Sequence, residues 1–289
     1  MIAAKELRPR ELIEQSSDLA SPPLVYRRLM EVINHPRGGA GDIANVIKQD
    51  TALTARLLKL VNSAFFAFPR PVETVSQAVS VVGTSQVRDL ALATSVTDLF
   101  KGVPAGVIDV EGFWKHSLAC GVCARVIAGL RNESNVERFF VAGILHDVGR
   151  LVLLLRAPDA VREILDHAAE KESLLYDAER ELMGFDHARV GGMLMKHWSM
   201  PEALVESLAY HHMPTKAERF PVEAATMHVA DILATALELG SSGERFVPPV
   251  SAGAWTRLGL EATSVAFAVE EVERQYAASV QLLGLALED

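Results

Sequence analysis

Residues 134–150 read SNVERFFVAGILHDVGR. An apolar run from Phe139 to Leu145 leads into two adjacent polar residues, His146 and Asp147, with Gly149 just beyond them. The pattern predicts a helix that begins near Ser134 and ends at the pair, closed by Gly149. Neighbouring helical positions diverge by about 100°, so both side chains reach one cleft only if it lies beside that helix end. A carboxylate in so apolar a setting is costly unless it is paired or coordinates a cation. Asp147 therefore calls for a partner.

Helical periodicity extends outward from this stretch in both directions. Apolar residues recur at steps of three and four, as at Leu53, Leu57, Leu60 and Ala64, while period-two runs bounded by turn residues are scarce. The fold class expected is all-α, helix packed on helix. Ser21 before Pro22 and Pro23 marks one helix start, and capping-box spacing marks others at Ser134/Glu137, Ser199/Glu202 and Thr215/Glu218. Breaks at His35 to Gly41, Phe68 to Pro71, Gly102 to Gly106 and Gly240 to Pro249 divide the chain. They suggest an N-terminal helical lobe over 1–101, with a boundary near Lys101, a second helical lobe over 102–240 and a C-terminal extension over 241–289. In that extension Val265, Val269, Val272, Tyr276, Val280 and Leu283 form a seam, which calls for a partner in the same chain or in a second copy, a homodimer.

Composition narrows the class of function. With 289 residues, 49% apolar and 22% charged, the chain can bury a core and stay soluble. A formal charge of -9 without a Lys/Arg run argues against nucleic acid. The aliphatic stretch Leu151 to Leu155 is too short for a bilayer, and the first six residues lack a signal-peptide pattern, so no membrane and a cytoplasmic location are expected. The two cysteines, Cys120 and Cys123, form a lone C-x-x-C without a second half; buried thiols in a reducing compartment are the expectation.

Nine histidines occur, and five of them join the aspartates as candidate ligands. Besides His146 and Asp147 these are His116 after Phe113-Trp114-Lys115, His187 in Phe185-Asp186-His187, the doublet His211-His212, and Asp231 in a run with Val229, Ala230, Ile232 and Leu233. Imidazole nitrogens with carboxylate oxygens suit one or two divalent ions such as zinc, manganese, nickel or ferrous iron, and one aspartate can bridge two of them. His35, His167 and His197 are assigned elsewhere. His228, one helical step before Asp231, is left outside the set as a candidate supporting partner.

In this order His116, His146-Asp147 and Asp231 resemble the metal site of the HD phosphohydrolase superfamily. His187 and His211-His212 resemble the additional ligands of the HD-GYP branch, which hydrolyses cyclic dinucleotides. The N-terminal half, from Asp50 through Leu57-Leu58-Lys59-Leu60-Val61-Asn62-Ser63-Ala64 to Gln77-Ala78 and Gly83, is similar to the HDOD domain, the HD-related output domain of bacterial signalling proteins. The resemblance spans about residues 18 to 240 and implies a multi-helical HD-domain-like bundle with an N-terminal lobe. Many HDOD domains are thought to have lost their metal ligands, whereas this chain keeps the set. It departs from the HD-GYP pattern in two places: Val148-Gly149-Arg150 follows the His-Asp pair where a glycine and a lysine are usual, and Met213-Pro214-Thr215 follows the doublet where Gly-Tyr-Pro is usual.

The resemblance implies three functions. The first is a bacterial signalling or regulatory module with an HD-type mono- or dinuclear metal site and no efficient phosphodiesterase activity, contacting a signalling protein partner. The second is a metal-dependent phosphohydrolase of a nucleotide or cyclic dinucleotide, a small phosphorylated ligand met by Lys115 or Arg150. The third is di-iron oxidative chemistry. The first is preferred, because the two departures bear on catalysis more than on metal binding.

Overall fold

The computed structural model describes residues 4–14, 19, 21–63, 66, 68–100, 102–104 and 106–283. Among them no strand occurs. The helices are α1 (Pro9–Glu14), α2 (Leu24–Asn34), α3 (Ala40–Lys48), α4 (Thr51–Val61), α5 (Val75–Val82), α6 (Thr84–Leu99), α7 (Val110–Leu130), α8 (Glu137–Leu145), α9 (Val148–Arg156), α10 (Pro158–Lys171), α11 (Leu175–Met183), α12 (His187–His197), α13 (Glu202–Ala209), α14 (Pro221–Ala236), α15 (Ala252–Leu258) and α16 (Ser264–Leu283). Short 3-10 turns occupy Ala4–Glu6 and Pro214–Lys216.

Helix α7 is the spine. It is buried around nearly its whole circumference from Gly112 to Ala128 because α8, α14 and α16 all pack on it. The approach of α8 is set by two glycines. A Cβ placed on Gly143 would lie 2.4 Å from Cα of Gly121, so the two backbones touch there. Helices α2 to α6 form the N-terminal lobe and reach the rest mainly through α6 against α8. The short α1 packs instead on α9 and α12, so the beginning of the described chain lies with the second lobe.

The most recognisable N-terminal stretch has a structural role. Leu53, Leu57, Leu60 and Val61 are the buried face of α4. At its end Asn62 Nδ2 donates to the carbonyls of Leu58 and Val72 at 2.9 and 2.7 Å, and its Oδ1 accepts from the Val72 amide at 2.6 Å. One side chain thus ties the helix end to a segment ten residues away. Asp50 caps the same helix by accepting from the Leu53 amide. Ala64 lies outside the described residues.

Several boundary expectations are corrected. The Ser134/Glu137, Ser199/Glu202 and Thr215/Glu218 boxes do not cap helices: α8 starts at Glu137, with Asn135 Oδ1 accepting from Arg138, α13 starts after Pro201, and α14 starts only at Pro221. A true capping box occurs at Thr74 and Gln77, before α5. Gly149 does not close α8. It lies inside α9, where a Cβ would meet the His187 carbonyl at 2.0 Å and the Gly191 amide nitrogen at 2.5 Å, so it is required for the contact of α9 with α12. The seam of α16 finds its partner within the chain: Ala268 and Val272 are buried as α16 packs on α7, with Tyr276 and Val280 half-buried, while Val265 is exposed. The side chain of Leu283, like the expected lobe boundary at Lys101, lies outside the described residues.

The α7–α8 contact admits a direct test. Gly143→Ala forces a methyl group into the backbone of Gly121, where neither helix can yield locally, and should cost about 3 kcal/mol. Urea denaturation of the two proteins measures it; an unchanged midpoint would show that the helices do not meet at this point.

Candidate metal centre

The α7–α8 crossing and the α9–α12 contact bring the candidate residues together. His116 and Cys120 stand one turn apart on α7, His146 and Asp147 occupy the bend between α8 and α9, His187 opens α12, His211 and His212 follow α13, and Asp231 projects from α14. All seven expected ligands converge in two adjoining groups. His116, Cys120, His146 and Asp231 form one, and Asp147, His187, His211 and His212 the other, with the donor atoms of each group within 4.8 Å of one another.

In the first group His116 Nε2 lies 3.1 Å from Asp231 Oδ1, and His146 Nε2 lies 3.8 Å from the same oxygen. In the second, His187 Nε2 is 2.8 Å and His211 Nε2 3.7 Å from Asp147 Oδ1, and His212 Nε2 is 3.0 Å from His187 Nε2. Asp147 Oδ2 meanwhile faces the first group, 3.5 Å from His146 Nε2. One carboxylate thus straddles both groups, as a bridging ligand must.

The backbone sets the imidazole orientations. His146 Nδ1 donates to the Gly143 carbonyl and His211 Nδ1 to the Leu208 carbonyl, each at 2.7 Å, so in both rings Nε2 is left with its lone pair toward the cluster. His211 Nε2 is buried with no hydrogen-bond partner among the described residues, a donor atom that an ion would satisfy. Burial holds the His146 imidazole below its ordinary pKa against the pull of Asp147 and Asp231. Burial, aided by His146 and His187, pushes His211 down to about 3, and burial with His211 pushes His212 well down. Neutral imidazoles are the form that binds metal.

The acids behave oppositely. Burial would raise both carboxylates, yet Arg150, His146 and His187 hold Asp147 well below the usual range, and the hydrogen bond that Asp231 accepts from His116, together with the nearby His146, brings Asp231 to about 2. Asp147, Asp231 and Glu179 are three buried carboxylates, and the positive charges beside them are the Arg150 guanidinium and the His187 imidazolium, one fewer than the acids. This surplus of negative charge, together with the nitrogen and oxygen donors and the unpartnered Nε2, fits one or two divalent cations.

Some residues stand elsewhere or in other roles. Lys115 Nζ sits on Glu111 at 2.5 Å, half-exposed and outside the cluster. Arg150 is buried: its Nη1 donates to the Ser242 carbonyl at 2.7 Å, and its Nη2 lies 3.0 and 3.2 Å from the two nitrogens of His187. His228 uses both ring nitrogens, Nδ1 donating to the His211 carbonyl at 2.8 Å and Nε2 accepting from the Ser251 amide at 2.9 Å, so it supports the doublet from behind. Two residues were not foreseen. Cys120 was legible as the residue one helical turn from His116. Glu179 had no local signal; it lies eight residues before His187 on another helix and accepts from His187 Nδ1 at 2.6 Å and from its amide at 2.8 Å.

Residues 19–214 match the HDOD domain. The chain belongs to the HDOD family. Asp231 lies beyond the matched segment. An HDOD domain protein of unknown function from Geobacter sulfurreducens has the same fold, with a TM-score of 0.80 and 26% identity over 95% of this chain and 96% of that one. A candidate phosphohydrolase from Shewanella amazonensis SB2B shares the fold at 0.74 and 23% identity, covering 96% and 97% of the two chains. A candidate signal transduction protein from Marinobacter aquaeolei VT8 does so at 0.72 and 23% identity, over 94% of this chain and 60% of the other. An uncharacterised protein of Treponema pallidum is 23% identical over 223 residues, 76% of this HDOD chain and 43% of that protein's length. None of the helices among the described residues is long and apolar enough to cross a membrane.

His187 sets a pH dependence. Burial and Arg150 disfavour its cation, but Glu179 and Asp147 outweigh them and raise it to about 9. An ion binding at Nε2 must displace that proton, so affinity at this position should rise with pH up to about 9, with proton release in calorimetry. Glu179→Gln removes one of the two stabilising charges, lowers the His187 pKa and shifts the rise to lower pH; an unchanged profile would remove His187 from the ligands.

Proposed function

We propose that this HDOD protein is a bacterial signalling or regulatory module whose HD-type centre holds one or two divalent ions and does not turn over phosphodiesters efficiently. The observation that carries this reading is the placement of Arg150. It stands where the HD-GYP pattern has its phosphate-binding lysine, yet it is 3% exposed, with its guanidinium committed to Ser242 and laid against His187. His116, His146, Asp147, His187 and His211 are buried as fully. The centre is built to hold charge in the core.

The ligands His116, His146, Asp147, His187, His211, His212 and Asp231 would hold the ions. A divalent ion there supplies charge neutralisation for the buried aspartates and Lewis-acid stabilisation of a phosphoryl oxygen. The chain's own groups do the rest: Gly143 and Leu208 orient two imidazoles, Glu179 orients a third, and Asp147 ties the two groups together. A signalling partner is met through the N-terminal lobe or the last helix, where Phe267 is 57% exposed. The Marinobacter relative supports a signalling role.

A metal-dependent phosphohydrolase acting on a nucleotide or cyclic dinucleotide is the second reading. It is favoured by the two-faced placement of Asp147 and by the Shewanella relative. Purified protein with quantified metal, offered cyclic dinucleotides and nucleoside phosphates, separates the two. The regulatory reading expects bound metal without steady product formation, and expects Asp147→Ala to lower metal content and thermal stability. Steady hydrolysis that disappears in Asp147→Ala would establish the second reading instead.

A further inference from the structure

The first donor group contains a residue that the HD ligand pattern does not use. Cys120 lies one helical turn beyond His116 on α7, fully buried. Its Sγ is 3.4 Å from His116 Nε2, 3.8 Å from His146 Nε2 and 4.0 Å from Asp231 Oδ1. With the 3.1 Å and 3.8 Å separations of Asp231 Oδ1 from the two imidazoles, five of the six edges among the four donor atoms lie between 3.1 and 4.0 Å.

The donor types point to the kind of ion, and the edges can be set beside the spacing that it needs. For a tetrahedral zinc site the bond lengths to sulfur, nitrogen and oxygen require donor–donor separations of roughly 3.4–3.6 Å. An octahedral ion with the same bond lengths would require roughly 2.9–3.1 Å between neighbouring donors. The 3.4 Å edge from Cys120 Sγ to His116 Nε2 has the tetrahedral length, the 3.1 Å edge is shorter and the three of 3.8–4.0 Å are longer, so the four atoms surround an ion-sized space and would draw in around an ion. Two of the rings are already aimed: the Gly143 carbonyl leaves the His146 lone pair facing Cys120 and Asp231, and His116 Nε2 meets both the thiol and the carboxylate. Cys123, three residues on and equally buried, does not belong to the group whose donor atoms lie within 4.8 Å of one another, and serves as an internal control.

We propose that Cys120 is a thiolate ligand, making the His116/Cys120/His146/Asp231 position a sulfur-containing site that favours zinc over harder ions. The position formed by Asp147, His187, His211 and His212 offers only nitrogen and oxygen donors and suits harder or borderline ions. As the metal–sulfur bond forms, the Cys120 proton passes to solvent, one proton per ion. The two adjoining positions therefore differ in the metal they prefer. The inference rests on the metal-binding part of the function proposed above and is independent of whether any phosphoester is hydrolysed.

The test uses the full chain stripped of metal and reloaded with zinc or cobalt(II). X-ray absorption of the zinc form should show one sulfur neighbour at about 2.3 Å, and the cobalt form should show a thiolate-to-metal charge-transfer band in the near ultraviolet. Both signals should persist in Cys123→Ser and vanish in Cys120→Ser, which keeps side-chain volume nearly constant. The wild-type spectra decide the question even if a variant fails to fold. Bound zinc and cobalt without a sulfur signature would overturn the thiolate assignment while leaving the metal centre standing. If neither ion binds, the thiolate assignment falls, and reloading with manganese or ferrous iron then tests the metal centre by itself.

Discussion

Two aspartates stand in the middle of a helical core, and the rest of the molecule is arranged around that constraint. Asp147 is 2% and Asp231 8% exposed, and Glu179 is buried beside them. Unpaired carboxylates in such surroundings would cost several kcal/mol each. They are met by His116, His146 and His187 and by the guanidinium of Arg150, each supplied by a different turn of helix. The helices must therefore meet at fixed depths, and two glycine contacts set those depths. Gly143 lets α8 touch α7 at Gly121, and Gly149 lets α9 touch α12 near His187. With a side chain at either place the helices would stand apart, and the imidazoles would leave their carboxylates.

The segment from Gly240 to Ser251 completes the enclosure. It is tied to the centre's surroundings by the Ser241 amide on the Gly112 carbonyl, by Arg150 on the Ser242 carbonyl, by the Leu175 amide on Glu244, and by the Ser251 amide on His228. Each anchor touches an element that carries or backs a ligand. Arg150 consequently serves two purposes: it offsets the negative charge of Asp147 and Glu179, and it fastens a strap over them. A lysine could supply the charge but not the planar fork that reaches Ser242 and lies along the His187 ring together.

The all-helical class was legible because burial periodicity is a property of consecutive residues. Leu53, Leu57 and Leu60 mark the face of α4 as plainly in the chain as in the fold. The ligand set was legible because histidines and aspartates in apolar runs are anomalies that demand partners. Helix starts were less so: Ser199 and Thr215 had capping-box spacing, yet Ser199 is in a left-handed conformation and Thr215 falls in a 3-10 turn, where tertiary packing outweighs a cap's modest contribution. Gly149 shows the same limit, for a glycine that ends a helix and one that admits a neighbouring backbone look alike until the neighbour is in place.

Taken alone, the chain determined that this protein is helical, that its loops fall about where Gly and Pro cluster, and that seven residues from His116 to Asp231 are candidates for one metal site. Those are consequences of local periodicity and of the cost of burying charge, and both can be counted along a sequence. Tertiary structure decided which ligands share a group, that Asp147 faces both groups, that Cys120 joins one of them and Glu179 backs the other, and that Arg150 turns to a strap instead of to open space. These depend on angles and distances between helices far apart in sequence, and helix-to-helix distance is set by side-chain volume at crossing points such as Gly121 and Gly143, which no single stretch of sequence contains.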